Sequence, residues 1–183
     1  MSAWTDKRRV KDCYDATAAG YNELYGEEQR RKYQRALQNV ETKRKTVLDV
    51  GCGSGLFFSQ VAGQAELVVG VDDSRNLLTK AKEHGRGFGN VNVILADADH
   101  LPLRSGFFGA VFAFTVLQNL PAPQDTLAEL KRVTSVGGRV VVTGLKRAFA
   151  LDRFMDLLEA SVMRLDEFVD EEAINCYIAA LTA

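Results

Sequence analysis

Apolar residues fall along this chain in short blocks set between segments of helical spacing, and the blocks come at regular intervals. Those at 46–50, 67–71, 91–96, 110–117 and 139–144 are nearly continuous, as in strands buried on both faces of a sheet. Between them, residues 55–63, 75–84 and 123–134 read as helices, the second with Ser74 as N-cap, and Gly137-Gly138 marks a break before the fifth block. Upstream, helices are expected over 6–18 and 26–41, the latter with Tyr33, Ala36, Leu37 and Val40 at i, i+3, i+4 and i+7, capping the sheet. Strand-helix-strand repetition of this kind predicts a parallel, doubly wound sheet in the α/β class, with helices on both faces. After a helix at 150–160, residues 162–169 and 173–181 read as two further strands about the turn Asp170-Glu171-Glu172, with Ile174, Cys176 and Ile178 on one face. They close the sheet as an antiparallel hairpin.

The first block runs into Asp49-Val50-Gly51-Cys52-Gly53-Ser54-Gly55, where three alternating glycines follow an acid. A tight strand-to-helix turn needs positive φ and no Cβ between backbone and ligand, which glycine supplies, and the helix after it is expected to aim unpaired N–H groups into the site. The dinucleotide fingerprint G-x-G-x-x-G places its third glycine one residue later than here, where position 56 is Leu. Asp49 adds a carboxylate that repels a pyrophosphate and attracts an ammonium or sulfonium. The second block ends in Asp72-Asp73, placed to accept hydrogen bonds from ribose hydroxyls. The third ends in Asp97-Ala98, placed to accept from an adenine amino group.

These patterns, Asp49 to Gly55, Gly70-Val71-Asp72-Asp73-Ser74 and Ala96-Asp97-Ala98-Asp99-His100-Leu101-Pro102, resemble the class I S-adenosylmethionine-dependent methyltransferases over roughly residues 14–181. The resemblance implies a Rossmann-like, doubly wound seven-stranded sheet with strand order 3-2-1-4-5-7-6 and a C-terminal antiparallel hairpin, which nicotinamide-binding relatives of the fold lack. It implies S-adenosyl-L-methionine as cofactor, bound by Tyr14, Tyr21, Asp49, Gly51, Gly53, Gly55, Asp72, Asp73, Asp97, Ala98 and Thr115. Tyr14 and Tyr21 lie in a stretch similar to the family's entry helix, whose aromatic hydroxyl often reaches the methionine carboxylate. The run Gly26 to Tyr33 resembles small stand-alone archaeal members, some acting on tRNA, protein or small molecules.

Composition bounds the organisation. With 183 residues, 46% hydrophobic and 26% charged, one domain is expected, a helical cap over 1–45 on a core over 46–183. Three cysteines without C-x-x-C spacing indicate neither a disulfide framework nor a zinc site, which points to the cytoplasm. The longest apolar stretch, 107–117, is too short for a membrane span of about 20 residues, and no signal peptide is evident. Net charge is −1, yet Lys/Arg exceed Asp/Glu before residue 46. The clusters Lys7-Arg8-Arg9, Arg30-Arg31-Lys32 and Lys43-Arg44-Lys45 read as solvated helix faces, with nucleic acid as the other reading.

No catalytic residue is assigned. Methyl transfer from a sulfonium expels a neutral leaving group, so a base is needed only where the acceptor holds a proton at neutral pH, and His84 and His100 are the candidate bases. The segment Phe114 to Pro121 is not Asn-Pro-Pro-Tyr, and no Pro-Cys pair exists, which disfavours adenine amino and cytosine C5 methylation. Gln118 and Phe108-Gly109 stand where many relatives have His and Phe-Asp. Cys52 reads as a small residue tolerated by the loop. A methyltransferase fold acting as a weakly catalytic binding subunit is the alternative function. The strand Val91 to Leu95 has no charged residue and is an outer edge in the implied order, so it is a candidate for strand addition, and the family resemblance implies a small zinc-binding activator subunit as the partner. tRNA or protein is a possible substrate.

Overall fold

The computed structural model describes residues 21–183; the helix expected at 6–18 and Tyr14 lie outside them. The chain runs α1 (Tyr21–Leu37), β1 (Thr46–Val50), α2 (Phe58–Val61), β2 (Leu67–Asp72), α3 (Arg75–Gly85), β3 (Val91–Leu95) and β4 (Phe108–Ala113). A 3-10 turn (Leu117–Asn119), α4 (Pro123–Val133), β5 (Thr134–Leu145), α5 (Leu151–Ala160), β6 (Arg164–Val169) and β7 (Cys176–Thr182) complete it. The seven strands form one sheet in the order β3-β2-β1-β4-β5-β7-β6, as the resemblance implied. β3, β2, β1, β4 and β5 run parallel, and β7 is antiparallel to β5 and β6.

Period-two alternation sorts the central strands between two cores. Val47, Ala110, Phe112 and Val141 face one side with Tyr33, Ala36, Phe57, Phe58, Ile174, Cys176 and Ile178. Leu48, Val50, Val111, Val140 and Val142 face the other, beneath Leu127, Leu130 and Val133 of α4 and Phe154 and Leu158 of α5. Both faces being covered explains why these strands read as unbroken apolar runs.

Several boundaries depart from the sequence expectation. The expected 55–63 helix shrinks to α2 because Gly55 N–H and Phe58 N–H spend themselves on the short turns to Cys52 O and Gly55 O. The strand expected through 117 stops at Ala113, since Thr115 takes a left-handed φ of 61° and turns the chain out of the sheet. Gly137-Gly138 is not a break: β5 starts at Thr134, and the glycines sit in a register shift, Phe108 pairing Thr134 while Ala110 pairs Arg139. The helix expected over 26–41 is α1, which ends at Leu37, and Asn39 beyond it donates its side-chain amide to Glu167. In the C-terminal hairpin, β6 begins after Val162, which has φ 56°, and Ala173 and Ile174 belong to the turn.

Candidate functional site

The site lies at the C-terminal ends of β1, β2, β3 and β4, where the strand order reverses direction from β1. Gly51, Gly53 and Gly55 have φ of 70°, 54° and 81°, each in the left-handed region. A Cβ on Gly51 would stand 2.4 Å from Val116 Cγ2, so this glycine lets the turn after β4 close over the loop. At Gly53 nothing lies within 4 Å of such a Cβ.

The loop's amides are largely spent within the protein. Gly51 N–H and Cys52 N–H donate to Val71 O at 2.7 and 3.0 Å, Gly55 N–H to Cys52 O, and Gly53 N–H to Asp72 Oδ2 at 2.9 Å. The expectation that a following helix would present its N-terminus is corrected, since α2 is four residues long and starts three residues beyond Gly55. What faces a ligand here is therefore side-chain carboxylate, not a cradle of N–H groups. The arrangement is unsuited to a pyrophosphate.

Asp49 is 2% exposed, and its carboxyl is pushed well above the usual carboxylate range by burial and by the neighbouring charge of Asp72. A cation beside it would reverse that cost. With Gly51, Cys52, Ser54, Gln29, Tyr33 and Phe114 it lines a small pocket beneath α1. The Gln29 side chain is buried, and its Oε1 has no hydrogen-bond partner among the described residues. Gly51 and Phe114 also belong to a larger cleft of about 720 Å³, open mouth included. Asp72, Asp73, Asp97, Ala98, Thr115 and Asn119 line that cleft.

Thus of the residues expected from sequence, Asp49 and Gly51 line the pocket, and Gly51, Asp72, Asp73, Asp97, Ala98 and Thr115 line the adjoining cleft. Gly53 and Gly55 shape the loop without lining either. Tyr14 lies outside the described residues, as does the side chain of Tyr21, which opens α1. Asp72 also accepts from Gly53 N–H and Ser74 N–H, so it fixes the glycine loop to the start of α3. Asp97 Oδ1 accepts from Asp99 N–H and shapes the turn after β3. That turn is latched to α4: Glu129 accepts from Leu101 N–H while Arg132 donates to Leu101 O and Leu103 O. Of the candidate bases, His84 places Nδ1 2.6 Å from Ser54 O and so steadies the glycine loop. The Cys52 thiol is pushed well up by burial and by Asp49 and Asp72, in keeping with an inert small residue.

A model of the family described as "Methyltransferase domain" matches residues 48–142, just over half of the chain. The chain belongs to the methyltransferase domain family. This methyltransferase domain is 31% identical, over 61% of its length, to the ubiquinone biosynthesis O-methyltransferase of Coxiella burnetii, and spans 48% of that protein. The chain thus spans about half the length of the curated relatives it matches first. Among solved structures it is similar to the complex between the Haloferax volcanii Trm112 methyltransferase activator and a methyltransferase, with a TM-score of 0.84 at 15% identity, covering 95% of this chain and 97% of that one. It is also similar to magnesium protoporphyrin IX methyltransferase from Synechocystis with bound SAM, with a TM-score of 0.78 at 18% identity, covering 97% and 96%. These two likenesses show the fold.

The sequence reading of this methyltransferase domain missed Lys32. Its side chain is 2% exposed, and Nζ donates to Thr115 Oγ1 at 2.9 Å and lies 3.8 Å from Cys176 Sγ and 3.6 Å from Glu28 Oε1. Lys32 falls in a basic run that reads as solvated. The available signal was its phase, since it shares a helix face with Gln29, Tyr33 and Ala36, all buried.

Proposed function

We propose that the protein is an S-adenosylmethionine-dependent methyltransferase, with the amino-acid end of the cofactor beside Asp49 and Gln29 and its adenosine in the cleft of Asp72, Asp73, Asp97 and Ala98. The observation that carries this reading is the buried Asp49 carboxylate. It lacks any compensating cation among the ion pairs of the described residues, and it adjoins a glycine loop whose amides are mostly consumed. A ligand bearing positive charge fits that environment; a pyrophosphate does not. When bound, the cofactor supplies a methyl group on a cationic sulfur. Asp72 and Asp73 would hold the ribose, Asp97 and Ala98 the adenine, and Phe114 with Val116 would wall the reacting centre from water. The two solved methyltransferases described above share the fold, and the Coxiella relative carries the name of an O-methyltransferase.

Calorimetry with S-adenosylmethionine and with NAD tests the reading, and only the former should bind. Asp72→Ala should weaken binding by roughly ten- to a hundredfold, the effect of losing charge-assisted hydrogen bonds worth about 1.5–3 kcal/mol. Unchanged affinity in the folded variant would sink the assignment. Turnover of labelled cofactor against tRNA, protein and metabolite fractions separates an enzyme from a binding subunit.

We also propose that β3 accepts a strand from a small activator subunit, a zinc-binding one by the family resemblance, and that the protein works in the cytoplasm. β3 is an outer edge of the sheet, and Leu95 on it is 45% exposed. The Haloferax neighbour is a methyltransferase solved with an activator protein. No described helix is long and apolar enough to cross a membrane. The described cysteines, Cys52 and Cys176, are free thiols.

A further inference from the structure

Thr115 adopts a backbone conformation that a β-branched residue rarely takes, and three side chains hold it there. Its N–H donates to Thr143 Oγ1 at 2.7 Å, and its carbonyl accepts from the side-chain amides of Gln118 and Asn119. The hydroxyl is constrained by elementary chemistry. Lys32, as an ammonium, can only donate, so at 2.9 Å Thr115 Oγ1 must be the acceptor. That leaves the Thr115 O–H proton to be donated elsewhere. No hydrogen bond from this hydroxyl to a described residue is present, and Thr115 lines the cleft beside Phe114, next to the aromatic group of Tyr33, Phe57 and Phe112.

From this we infer that Lys32 and Thr115 form a polarised donor pair that binds the nucleophilic oxygen of the acceptor, and that the acceptor is an aromatic or enolic hydroxyl compound reacting as its oxyanion. The inference rests on the methyltransferase reading and narrows it. A hydroxyl already accepting from a cation is a stronger donor, and in a site removed from water its effect on an anion is enhanced. Lys32 is suited to the role because its other two partners among the described residues, a thiol sulfur at 3.8 Å and a partly exposed carboxylate at 3.6 Å, neutralise it weakly. The acceptor hydroxyl loses its proton to water. The oxyanion's lone pair then forms the new O–CH3 bond while the S–CH3 bond breaks, its electron pair remaining on sulfur. Lys32 and Thr115 exchange no proton in this step; they raise the population of the anion at neutral pH. Thr115, expected to bind cofactor, is assigned instead to the acceptor through its hydroxyl, and Lys32 is a positioning residue acting through it.

The test uses 4-nitrophenol, whose phenolate is coloured, on the full chain saturated with S-adenosylhomocysteine. Bound nitrophenol should ionise about one pH unit below the free compound, a roughly tenfold change in the ionisation ratio. Lys32→Met and Thr115→Val should abolish the shift, while Lys32→Arg and Thr115→Ser should retain it. A residue that merely staples α1 to the sheet would leave that ionisation untouched. Protein that binds S-adenosylhomocysteine yet gives no saturable nitrophenol binding, or the same ionisation in wild type and Lys32→Met, overturns the inference alone. Failure to bind S-adenosylhomocysteine overturns the methyltransferase reading and this one with it.

Discussion

Gly51 and Gly53 share a motif and a backbone conformation, but the structure gives them unequal work. At Gly51 an added methyl meets Val116 at 2.4 Å as well as an unfavourable φ, whereas at Gly53 only the φ is unfavourable. Left-handed conformation costs about 1–2 kcal/mol for a residue with a Cβ, and overpacking about 1–3 kcal/mol more. Gly51→Ala should therefore destabilise the protein by roughly 2–5 kcal/mol and Gly53→Ala by about 1–2 kcal/mol, read from urea denaturation midpoints. Equal losses would show that the Val116 contact is relieved by a small shift of the turn. Individual residues were unevenly legible in the sequence. Asp49, Asp72 and Asp97 announced themselves by standing within or directly after apolar blocks, because a carboxylate near a strand end has few uses in packing. Lys32 did not, since the neighbouring Arg30 and Arg31 disguised a buried charge as part of a solvated run.

Among the elements, α1 matters most to the site because it lays Gln29, Lys32 and Tyr33 over the strand ends. It is clipped to the C-terminal hairpin by Arg35, which contacts Glu167 at 2.8 Å and Glu171 at 2.9 Å, and by Asn39, which donates to Glu167 at 3.0 Å. Burial pushes the Glu167 carboxyl up, but the hydrogen bonds from Asn39 and Arg35 and the charge of Arg35 outweigh it and hold the group below the usual carboxylate range. A depressed carboxyl contributes its full stability above its unfolded-state value and loses it as the pH falls through its lowered folded value. Hydrogen exchange in α1 should thus accelerate as the pH drops below about 4, beyond the change in intrinsic exchange. Glu167→Gln should loosen α1 at neutral pH and remove most of that dependence. An α1 equally protected in the variant would mean that packing of Tyr33 and Ala36 alone secures it. Element types were readable because apolar runs between glycine turns admit few alternatives. Boundaries failed where the cause lay outside the local pattern: Thr115 is turned by partners on β5 and in the following turn, and the glycines of β5 fall in a register shift against β4 while their backbone pairs with Ala183.

At the scale of the whole molecule, the two sheet edges are unlike. β6 presents Asp166 and Glu167 tied to Arg139, Arg164 and Arg35, whereas β3 presents Val91, Asn92, Val93, Ile94 and Leu95, none of them fully buried. An ion-paired edge resists accretion of another strand; an uncharged one invites it. Val93→Lys or Ile94→Lys should accordingly abolish co-purification of a small subunit from native extract. A fully active monomer by light scattering, indifferent to both changes, would refute the partner. The order of strands was legible only through the resemblance, since periodicity carries no information about which strand lies beside which.

The amides of Gly51, Cys52, Gly53 and Gly55 in the glycine loop are satisfied at Val71, Asp72 and Cys52 within the protein itself, and His84 steadies Ser54 from outside. Such a loop has little ordering entropy left to lose on association, so the affinity it supports is not discounted by a folding step. Encounter should then resemble entry into a rigid receptacle: a single kinetic phase, linear in ligand concentration, with no slow rearrangement behind it.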